Sequence, residues 1–369
     1  MTGTTTRGGQ TVGATGGPSP AARSTCCPTG WPATTAFSRQ RVSSGRGSNR
    51  QHPEDLPMQL AMLVNPFTER NLALAAQAGV TEVVLPYPGP GLEPLQTARQ
   101  QVEAAGMRLT VLERKIPHRR LVHRLPGWEE ELAGFQNLLR DMAEAGLSVA
   151  CYNWMPAEDW QRTSCTSPER GGSLATAFDL SKIDHNVTDA DGMPGVQTSA
   201  VVLWDTLKRF LDEVLPVAES CSVSLALHPD DPPLPAVRGQ EQIITSNEAL
   251  RRVVDLAPSP ANGICYCTGS LFPAGADLVA GIRDLAPHIR FVHARNVRGT
   301  ADNFAETWHD NGEIDLPAVI RELKAVGFTG PMRPDHAPSM AGESNDTPGY
   351  EMLGKLFALG YLRGLMQAA

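Results

Sequence analysis

The segment Val223–His228 (VSLALH) is a short apolar run that ends in a residue able to bind a metal ion. Three later segments repeat this pattern: Gly263–Cys267 (GICYC), Ile289–His293 (IRFVH) and Gly330–Arg333 (GPMR), the last of which is followed by Pro334 and the pair Asp335–His336. The intervals between the potential ligands each fit about one strand and helix unit. A (β/α)8 barrel assembles its chemistry from side chains at the carboxyl ends of its strands. The spacing therefore predicts an α/β fold, a TIM (β/α)8 barrel, with a metal site at that end.

From about residue 58 onward, apolar runs alternate with amphipathic stretches, as repeated βα units require. The other predicted strands are Gln59–Val64, Glu82–Pro86, Arg108–Glu113 and Leu147–Asn153. The predicted helices are Thr68–Ala78, Leu95–Ala105, Glu129–Ala145, Val201–Ala218, Asn247–Leu256, Gly275–Leu285, Leu316–Val326 and Gly349–Met366. Four helical patterns are followed by a glycine suited to a left-handed C-cap, namely Gly79, Gly106, Gly146 and Gly327. Residues 57–369 are thus predicted to form one barrel domain.

Residues 1–56 differ from the rest of the chain. They are rich in Gly, Ser, Thr and Arg, contain no acidic residue before Glu54, and show neither helical nor strand periodicity. Such a segment buries too little apolar surface to offset its ordering entropy, so we expect a disordered, dispensable N-terminal tail. It has no apolar stretch of the kind found in secretory signals, and it resembles a transit peptide only weakly.

The connection at about 154–200 is also unusual. It contains tryptophans, prolines and glycine turns but no long periodic segment. Long loops inside a compact domain are usually functional, and many of them cover active sites. We therefore expect a lid over the barrel mouth.

Composition narrows the class of partner. The chain of 369 residues has a formal net charge of -8 and no basic block, which argues against nucleic acid or an anionic membrane surface as its main partner. No apolar run approaches the roughly 18 residues of a membrane span. An odd total of seven cysteines favours reduced thiols and a cytoplasmic location. A small-molecule substrate is expected, and a homo-oligomer is possible through the outer helices of the barrel.

Each ligand candidate also has an ordinary structural interpretation. A lone histidine at a strand end, such as His228, is more often structural, and a free cysteine usually packs as a small hydrophobic residue. Cys265 and Cys267 point to the same face of their strand, and Cys267 is the better ligand because it lies nearer the carboxyl end. Asp335–His336 would otherwise belong to a solvated ion-pair loop. The coincidence of several such strand ends favours a metal site.

Longer motifs around these residues resemble those of the mannonate dehydratase family. They are Cys151–Pro156 (CYNWMP), Asp159–Thr163 (DWQRT), His228–Pro233 (HPDDPP), Cys267–Ser270 (CTGS), His293–Asn296 (HARN), Arg333–His336 (RPDH) and Pro348–Tyr350 (PGY). They occur in the family's order and at similar spacings, over about residues 75–367. The resemblance implies a xylose-isomerase-like TIM barrel that acts as a lyase in hexuronate (glucuronate) catabolism. The reaction it implies converts D-mannonate to 2-keto-3-deoxy-D-gluconate with Mn²⁺ or Fe²⁺.

Carried onto this sequence, the family's metal ligands fall on His228, Cys267, His293 and Asp335, and its acid/base residues on His336 and Tyr350. This set suits the chemistry, because a metal stabilises the dianion formed when a proton next to a carboxylate is removed. Histidine and tyrosine suit the two proton transfers, and the sequence leaves open which takes which role. Mixed His, Cys and Asp ligation favours a transition metal over Mg²⁺ and would also suit zinc.

Candidates for substrate contacts are Asn153, Arg162, Arg295 and Asn296, because amides and planar guanidinium groups match hydroxyls and a carboxylate. For Arg162 the prediction depends on the motif match. His309, within Glu306–Gly312, is a further candidate because that stretch resembles a family loop, although it also suits a solvated loop.

Two segments depart from the family pattern and leave the substrate open. Met58–Pro66 lacks the aromatic residue, the glycine and the Trp-x-Gly pattern usual there, and Glu113–Arg120 is more basic than expected. A dehydratase of a related aldonate therefore remains an alternative. A sugar isomerase or epimerase of the xylose-isomerase-like barrels is a second, although those enzymes rely on carboxylate-rich sites and Cys267 argues against it. A non-catalytic barrel that binds a sugar acid or a metal is a third, although the presence of both His336 and Tyr350 argues against it.

Overall fold

Eight parallel strands close into a barrel in a computed structural model that describes residues 58–157, 160–183 and 197–369. The predicted disordered tail, residues 1–56, lies outside the described residues, as does Asp159. The barrel strands are β1 (Gln59–Leu63), β2 (Glu82–Leu85), β3 (Arg108–Glu113), β4 (Val149–Tyr152), β7 (Ser224–Leu227), β10 (Asn262–Cys267), β11 (Ile289–Ala294) and β14 (Pro331–Pro334). They pair in chain order, and β14 closes the barrel against β1. The TIM barrel prediction is confirmed.

Helices alternate with these strands, as predicted. They are α1 (Glu69–Gln77), α2 (Leu92–Ala104), α3 (Arg119–His123), α4 (Trp128–Glu144), α5 (Ala200–Cys221), α6 (Asn247–Leu256), α7 (Thr268–Leu271), α8 (Leu278–Leu285), α9 (Leu316–Ala325) and α10 (Met352–Ala368). Five have side-chain N-caps, provided by Thr68, Ser199, Ser246, Asp277 and Asp315. The Asp277 cap explains why α8 begins at Leu278 rather than at the predicted Gly275. All four predicted C-cap glycines adopt positive φ, between +74° at Gly327 and +85° at Gly79.

The connection after β4 is more ordered than predicted. Within the described part of 154–200 lie two strands, β5 (Ser164–Pro168) and β6 (Leu174–Asp179). They form an antiparallel sheet with the hairpin β12 (Asn296–Thr300) and β13 (Asn303–Thr307), in the order β12-β13-β6-β5. These short strands alternate too weakly in polarity to be recognised from sequence. We refer to these four strands as the upper sheet, and a two-stranded ribbon, β8 (Ala236–Val237) with β9 (Gln240–Glu241), completes the strand list.

The core has two layers. The larger one fills the space between strands and helices, where Phe135 of α4 meets Phe210 of α5 edge to face at 5.0 Å between ring centroids. The smaller one lies inside the barrel and includes Ala61, Leu63, Val84, Val111, Val149, Cys151, Ala226, Cys265 and Phe291. Each large buried side chain contributes roughly 1.5–3 kcal/mol to the free energy of unfolding. Trp160 and Tyr350 cover the inner layer, which places them at the end of the barrel where the ligand candidates lie.

None of the helices in the described ranges combines the length and the apolar character needed to cross a lipid bilayer.

Candidate active site

The four predicted metal ligands meet at the carboxyl ends of neighbouring strands. His228 follows β7 directly, Cys267 ends β10, His293 lies near the end of β11, and Asp335 follows β14. One ligand atom from each residue lies within 4.8 Å of every other. Parallel pairing brings them together, since Cys267 pairs with His293 across β10 and β11. We refer to these four residues as the quartet.

The donor atoms of the quartet fit a metal ion. Neither ring nitrogen of His293 makes a hydrogen bond among the described residues, although the side chain is 1% exposed. The nearest carboxylate oxygens are Glu113 Oε2, 3.4 Å from Nε2, and Asp335 Oδ2, 3.9 Å from Nδ1. Buried polar atoms without partners are uncommon, and a ligand is one explanation for them. His228 Nδ1 donates to the Pro229 carbonyl at 2.6 Å, which leaves Nε2 as the free donor atom for a metal. Cys267 Sγ accepts from Ser270 Oγ at 3.3 Å and lies 4.0 Å from Asp335 Oδ2.

A continuous set of buried ion pairs surrounds the quartet. Arg333 binds Glu113 through two hydrogen bonds of 2.9 and 2.7 Å and also contacts Asp335 at 2.9 Å. Arg295 links Asp335 to Asp231. We refer to the whole set as the ion-pair cluster, which consists of Glu113, Asp231, Glu306, Asp335, Arg162, Arg295 and Arg333.

The charge balance of this cluster also fits a divalent cation. Burial by itself raises the pKa of a carboxyl group. Neighbouring arginines and histidines nevertheless keep the pKa values of the four carboxyls below their ordinary values. The pKa of Asp231 is lowered to about 2. Four carboxylates and three guanidinium groups leave one excess negative charge. A cysteine that binds a metal does so as a thiolate, so Cys267 as a ligand would add a second. A divalent cation would neutralise both.

The predicted acid/base pair lies beside the quartet. His336 Nε2 lies 2.8 Å from Tyr350 Oη, and His336 Nδ1 lies 2.6 Å from Glu306 Oε1. Trp160 packs against the imidazole at 4.5 Å between ring centroids. Burial lowers the pKa of His336, against the opposing effect of Asp335 and Glu306, and burial raises the pKa of Tyr350. Both groups are therefore neutral near pH 7.

A cleft, which we refer to as the cavity, opens above these residues, and its empty space of about 500 Å³ includes the part of the mouth that is open to solvent. His228, His293, Asp335, His336 and Tyr350 line it. Its wall is completed by Glu113, Arg114, Lys115, Ile116, His118, Cys151, Tyr152, Asn153, Trp160, Asp231, Arg295 and Arg333. Of the five predicted substrate contacts, the structure thus places Asn153 and Arg295 at the cavity.

Arg162 is buried behind the wall of the cavity. Its guanidinium group binds both carboxylate oxygens of Asp231 at 2.8 and 3.0 Å and Glu306 at 2.5 Å. Thr176 accepts from its Nε at 3.2 Å. All its nitrogens therefore have protein partners, so the predicted direct contact with a substrate carboxylate does not agree with its position.

Asn296 and His309 also lie away from the cavity. Asn296 Nδ2 donates to the carbonyls of His309 and Ile314, and its Oδ1 accepts from the amide of Ile314. His309 Nε2 donates to the Ala294 carbonyl at 2.7 Å, and the side chain is 0% exposed. Both side chains hold the turn that follows β13 in place. Neither residue lies where a substrate contact was predicted, and His309 is not in a solvated loop.

Several important residues were not predicted from sequence. Asp231 and Glu306 each bind Arg162 and Arg295, and Glu306 also contacts His336. Both lie inside motifs that were recognised for other residues, HPDDPP and ETWHDNG. The sequence shows a carboxylate near a strand end in both cases. It does not show the partners of these carboxylates, because those partners come from distant parts of the chain.

Comparison with known proteins agrees with this geometry. A sequence model described as D-mannonate dehydratase (UxuA) matches residues 68–369. The mannonate dehydratase of Streptococcus equi subsp. zooepidemicus is 32% identical over 325 residues, which cover 80% of this chain and 89% of that protein. The crystal structure of mannonate dehydratase from Streptococcus suis serotype 2 superposes with a TM-score of 0.78 at 31% identity, covering 85% of this chain and 93% of that one.

The barrel is also similar to more distant structures. A xylose isomerase domain protein from Planctomyces limnophilus superposes with a TM-score of 0.54 at 16% identity, over 86% of this chain and 99% of that one. At this identity the similarity establishes the xylose-isomerase-like fold alone.

Proposed function

Because this chain belongs to the mannonate dehydratase family, we propose that it is a metal-dependent lyase that dehydrates D-mannonate to 2-keto-3-deoxy-D-gluconate. The observation that carries the proposal is the quartet, whose ligand atoms lie within 4.8 Å of one another beside the His336–Tyr350 pair. We further propose a role in glucuronate catabolism and a cytoplasmic location.

We propose that His228, Cys267, His293 and Asp335 hold Mn²⁺ or Fe²⁺. When bound, the metal supplies Lewis-acid stabilisation of the negative charge that develops as the C2 proton leaves. Arg295 reaches the cavity wall with its charge already paired to Asp231 and Asp335, so it adds positive potential without being free to move. Asn153 supplies an amide suited to a substrate hydroxyl.

We assign the base role to His336 and the acid role to Tyr350. A neutral imidazole accepts a proton more readily than a phenol, and a phenol with a raised pKa stays protonated until it donates. His336 takes the C2 proton, and Tyr350 gives its proton to the departing C3 hydroxyl, which leaves as water. The 2.8 Å hydrogen bond then lets the imidazolium reprotonate the phenolate. The enol formed at C2 and C3 gains a proton at C3 and loses the proton of its C2 hydroxyl, which gives the 2-keto-3-deoxy acid.

The activity is tested with anaerobically purified protein reconstituted with Mn²⁺ or Fe²⁺ and supplied with a panel of aldonates that includes D-mannonate. We expect a 2-keto-3-deoxy acid from D-mannonate. His336→Asn should abolish turnover while the protein keeps its metal. No product with either metal, from folded protein of demonstrated metal content, would contradict the proposal.

The two proton-transfer roles are tested separately in D₂O. Tyr350→Phe should still exchange the C2 hydrogen of D-mannonate with solvent while failing to eliminate water. His336→Asn should do neither. Exchange that persists in His336→Asn and is lost in Tyr350→Phe would reverse the assignment.

A sugar isomerase or epimerase is less well supported. The similarity to that class is one of fold, and the quartet contains a single carboxylate, whereas those enzymes rely on carboxylate-rich ligand sets. The same aldonate assay, extended to ketoses, separates the two activities.

A further inference from the structure

Glu306 makes the closest contact to the imidazole nitrogen of His336 that faces away from Tyr350. Its Oε1 lies 2.6 Å from His336 Nδ1, on the opposite side of the ring from the 2.8 Å contact between Nε2 and Tyr350 Oη. Glu306 is 2% exposed and comes from β13 of the upper sheet, whereas His336 follows β14 of the barrel. The contact therefore joins two separately built parts of the fold.

Two groups compete for His336 Nδ1. Glu306 accepts hydrogen bonds only, since its pKa is held well below its ordinary value, and it favours a proton on Nδ1. Arg295 donates only, and its Nη1 lies 3.2 Å from the same nitrogen, where it favours an unprotonated Nδ1. The carboxylate is closer by 0.6 Å, from the 2.6 and 3.2 Å distances, and carries the opposite charge to the developing imidazolium. Glu306 also lies closer to the ring than the Asp335 carboxylate, whose Oδ1 is 3.6 Å from Nε2. These distances favour the proton on Nδ1.

The position of the imidazole proton decides which ring nitrogen is able to act as a base. A neutral imidazole with its proton on Nδ1 has its lone pair on Nε2, which faces Tyr350 and the cavity. With the proton on Nε2, the same ring would present a donor to the substrate and would be unable to accept the C2 proton. The arrangement of carboxylate, imidazole and reacting group follows the same logic as the acid member of a catalytic triad.

We propose that Glu306 is a positioning residue that fixes His336 in the Nδ1–H tautomer. It acts through His336, because the cavity wall formed by the described residues includes His336 and not Glu306. Arg162 holds Glu306 in turn, at 2.5 Å, and itself pairs with Asp231. The kinetic part of this inference rests on the proposed function, whereas the tautomer is a property of the resting protein.

The first test measures the tautomer directly by ¹⁵N NMR of histidine-labelled protein, in metal-free and Zn²⁺-loaded forms. The His336 signals are identified by their loss in His336→Asn. We expect a protonated Nδ1 and an unprotonated Nε2 in the wild type and in Glu306→Gln, which keeps the acceptor oxygen. In Glu306→Ala, Arg295 remains as the neighbour of Nδ1, and the proton should move to Nε2.

The second test is kinetic. Glu306→Ala should lower kcat by on the order of 10²- to 10⁴-fold with KM changed by less than about threefold, because the base is lost and the cavity wall is kept. Glu306→Gln should retain at least about tenfold more kcat than the alanine variant, because Arg162 donates to the same oxygen, Oε1, that contacts His336 and so keeps the amide oxygen towards Nδ1. Glu322→Ala is the matched control, since it removes a carboxylate paired with Arg283 on the outer helices and should change neither reading.

Wild-type protein with the proton on His336 Nε2 would overturn the proposal, as would a folded Glu306→Ala protein with unchanged kcat. Should Glu306→Ala fail to fold, the tautomers measured in the wild type and in Glu306→Gln still decide. If the wild type does not dehydrate D-mannonate, the proposed function fails, and the tautomer measurements still test the role of Glu306.

Discussion

The burial of His309 predicts a measurable change in the free energy of unfolding with pH, which tests the structural role of this residue. Nε2 donates to the Ala294 carbonyl, and Nδ1 has no hydrogen-bond partner among the described residues. Protonation would place a charged N–H at a buried site without an acceptor. Burial accordingly lowers the pKa of His309 to about 4, against an ordinary value of 6.5.

The direction of the pH effect follows from proton binding. Between pH 6.5 and pH 4 the unfolded chain binds a proton at this residue and the folded protein does not, so the stability from this residue is complete above pH 6.5 and decreases as the pH falls. At 1.36 kcal/mol per pH unit, lowering the pH from 8 to 5 should cost about 2 kcal/mol from this residue alone. His309→Gln keeps a donor near the position of Nε2 and does not titrate.

The measurement is urea unfolding of wild type and His309→Gln between pH 5 and 8. The difference in the free energy of unfolding between the two proteins should shift by about 2 kcal/mol in favour of the variant as the pH falls to 5. His288→Gln is the control, because that imidazole is partly exposed at the opposite end of β11 and its replacement should produce a smaller shift. The reasoning would be refuted if the difference in the free energy of unfolding between the two proteins changed by less than about 0.5 kcal/mol across this range. The ordinary pKa of 6.5 lies 1.5 pH units above pH 5, and at 1.36 kcal/mol per unit this interval corresponds to about 2 kcal/mol.

Three further predictions concern the site. Cys267→Ser should weaken Mn²⁺ or Fe²⁺ binding at least about tenfold in a chelator competition, because a hydroxyl replaces a thiolate ligand; unchanged affinity would remove Cys267 from the quartet. Arg162→Met should lower the free energy of unfolding by about 3–5 kcal/mol, because it leaves two buried carboxylates with one cation fewer; a loss below about 1 kcal/mol in urea unfolding would contradict this. Asn296→Ala should cost about 2–4 kcal/mol and speed hydrogen exchange at residues 309–314, whose backbone it binds, and unchanged exchange there would contradict it.

The convergence of the quartet was predictable from sequence because its geometry depends on one regularity. Parallel strands place their carboxyl ends at one edge, so His228, Cys267, His293 and Asp335 converge whenever the strands are assigned correctly. Strand assignment in turn required only short apolar runs bounded by turns. The same regularity explains why the barrel was predicted with its eight strands in chain order.

Arg162 and Glu306 could not be placed in the same way. An arginine in a long connection is ordinarily exposed, and Arg162 is buried because Asp231 and Glu306, 69 and 144 residues away, neutralise it. That arrangement requires the upper sheet, whose strands, such as Ser164–Pro168 (SCTSP), are short and polar. Pairing between distant segments, rather than local pattern, determines these positions.

The upper sheet and the barrel provide different residues of the site. The barrel strands hold the quartet, and β13 of the upper sheet brings the partner of His336. The ion-pair cluster contains residues from the upper sheet and from the barrel, so the positions of these two parts depend on each other. The cavity wall at Arg114–His118 is built differently, because Arg114 and Lys115 both adopt left-handed backbone with φ of 71° and 58°.

Two successive non-glycine residues with positive φ cost of order 1 kcal/mol or more each, and such strain persists where surrounding structure imposes it. The guanidinium of Arg114 packs over the ring of Tyr350 at 4.7 Å, which connects this strained turn to the proposed acid. This segment is also one of the two that differ from what the family resemblance leads us to expect. We therefore expect this turn to influence substrate preference, because it lines the cavity without belonging to the quartet.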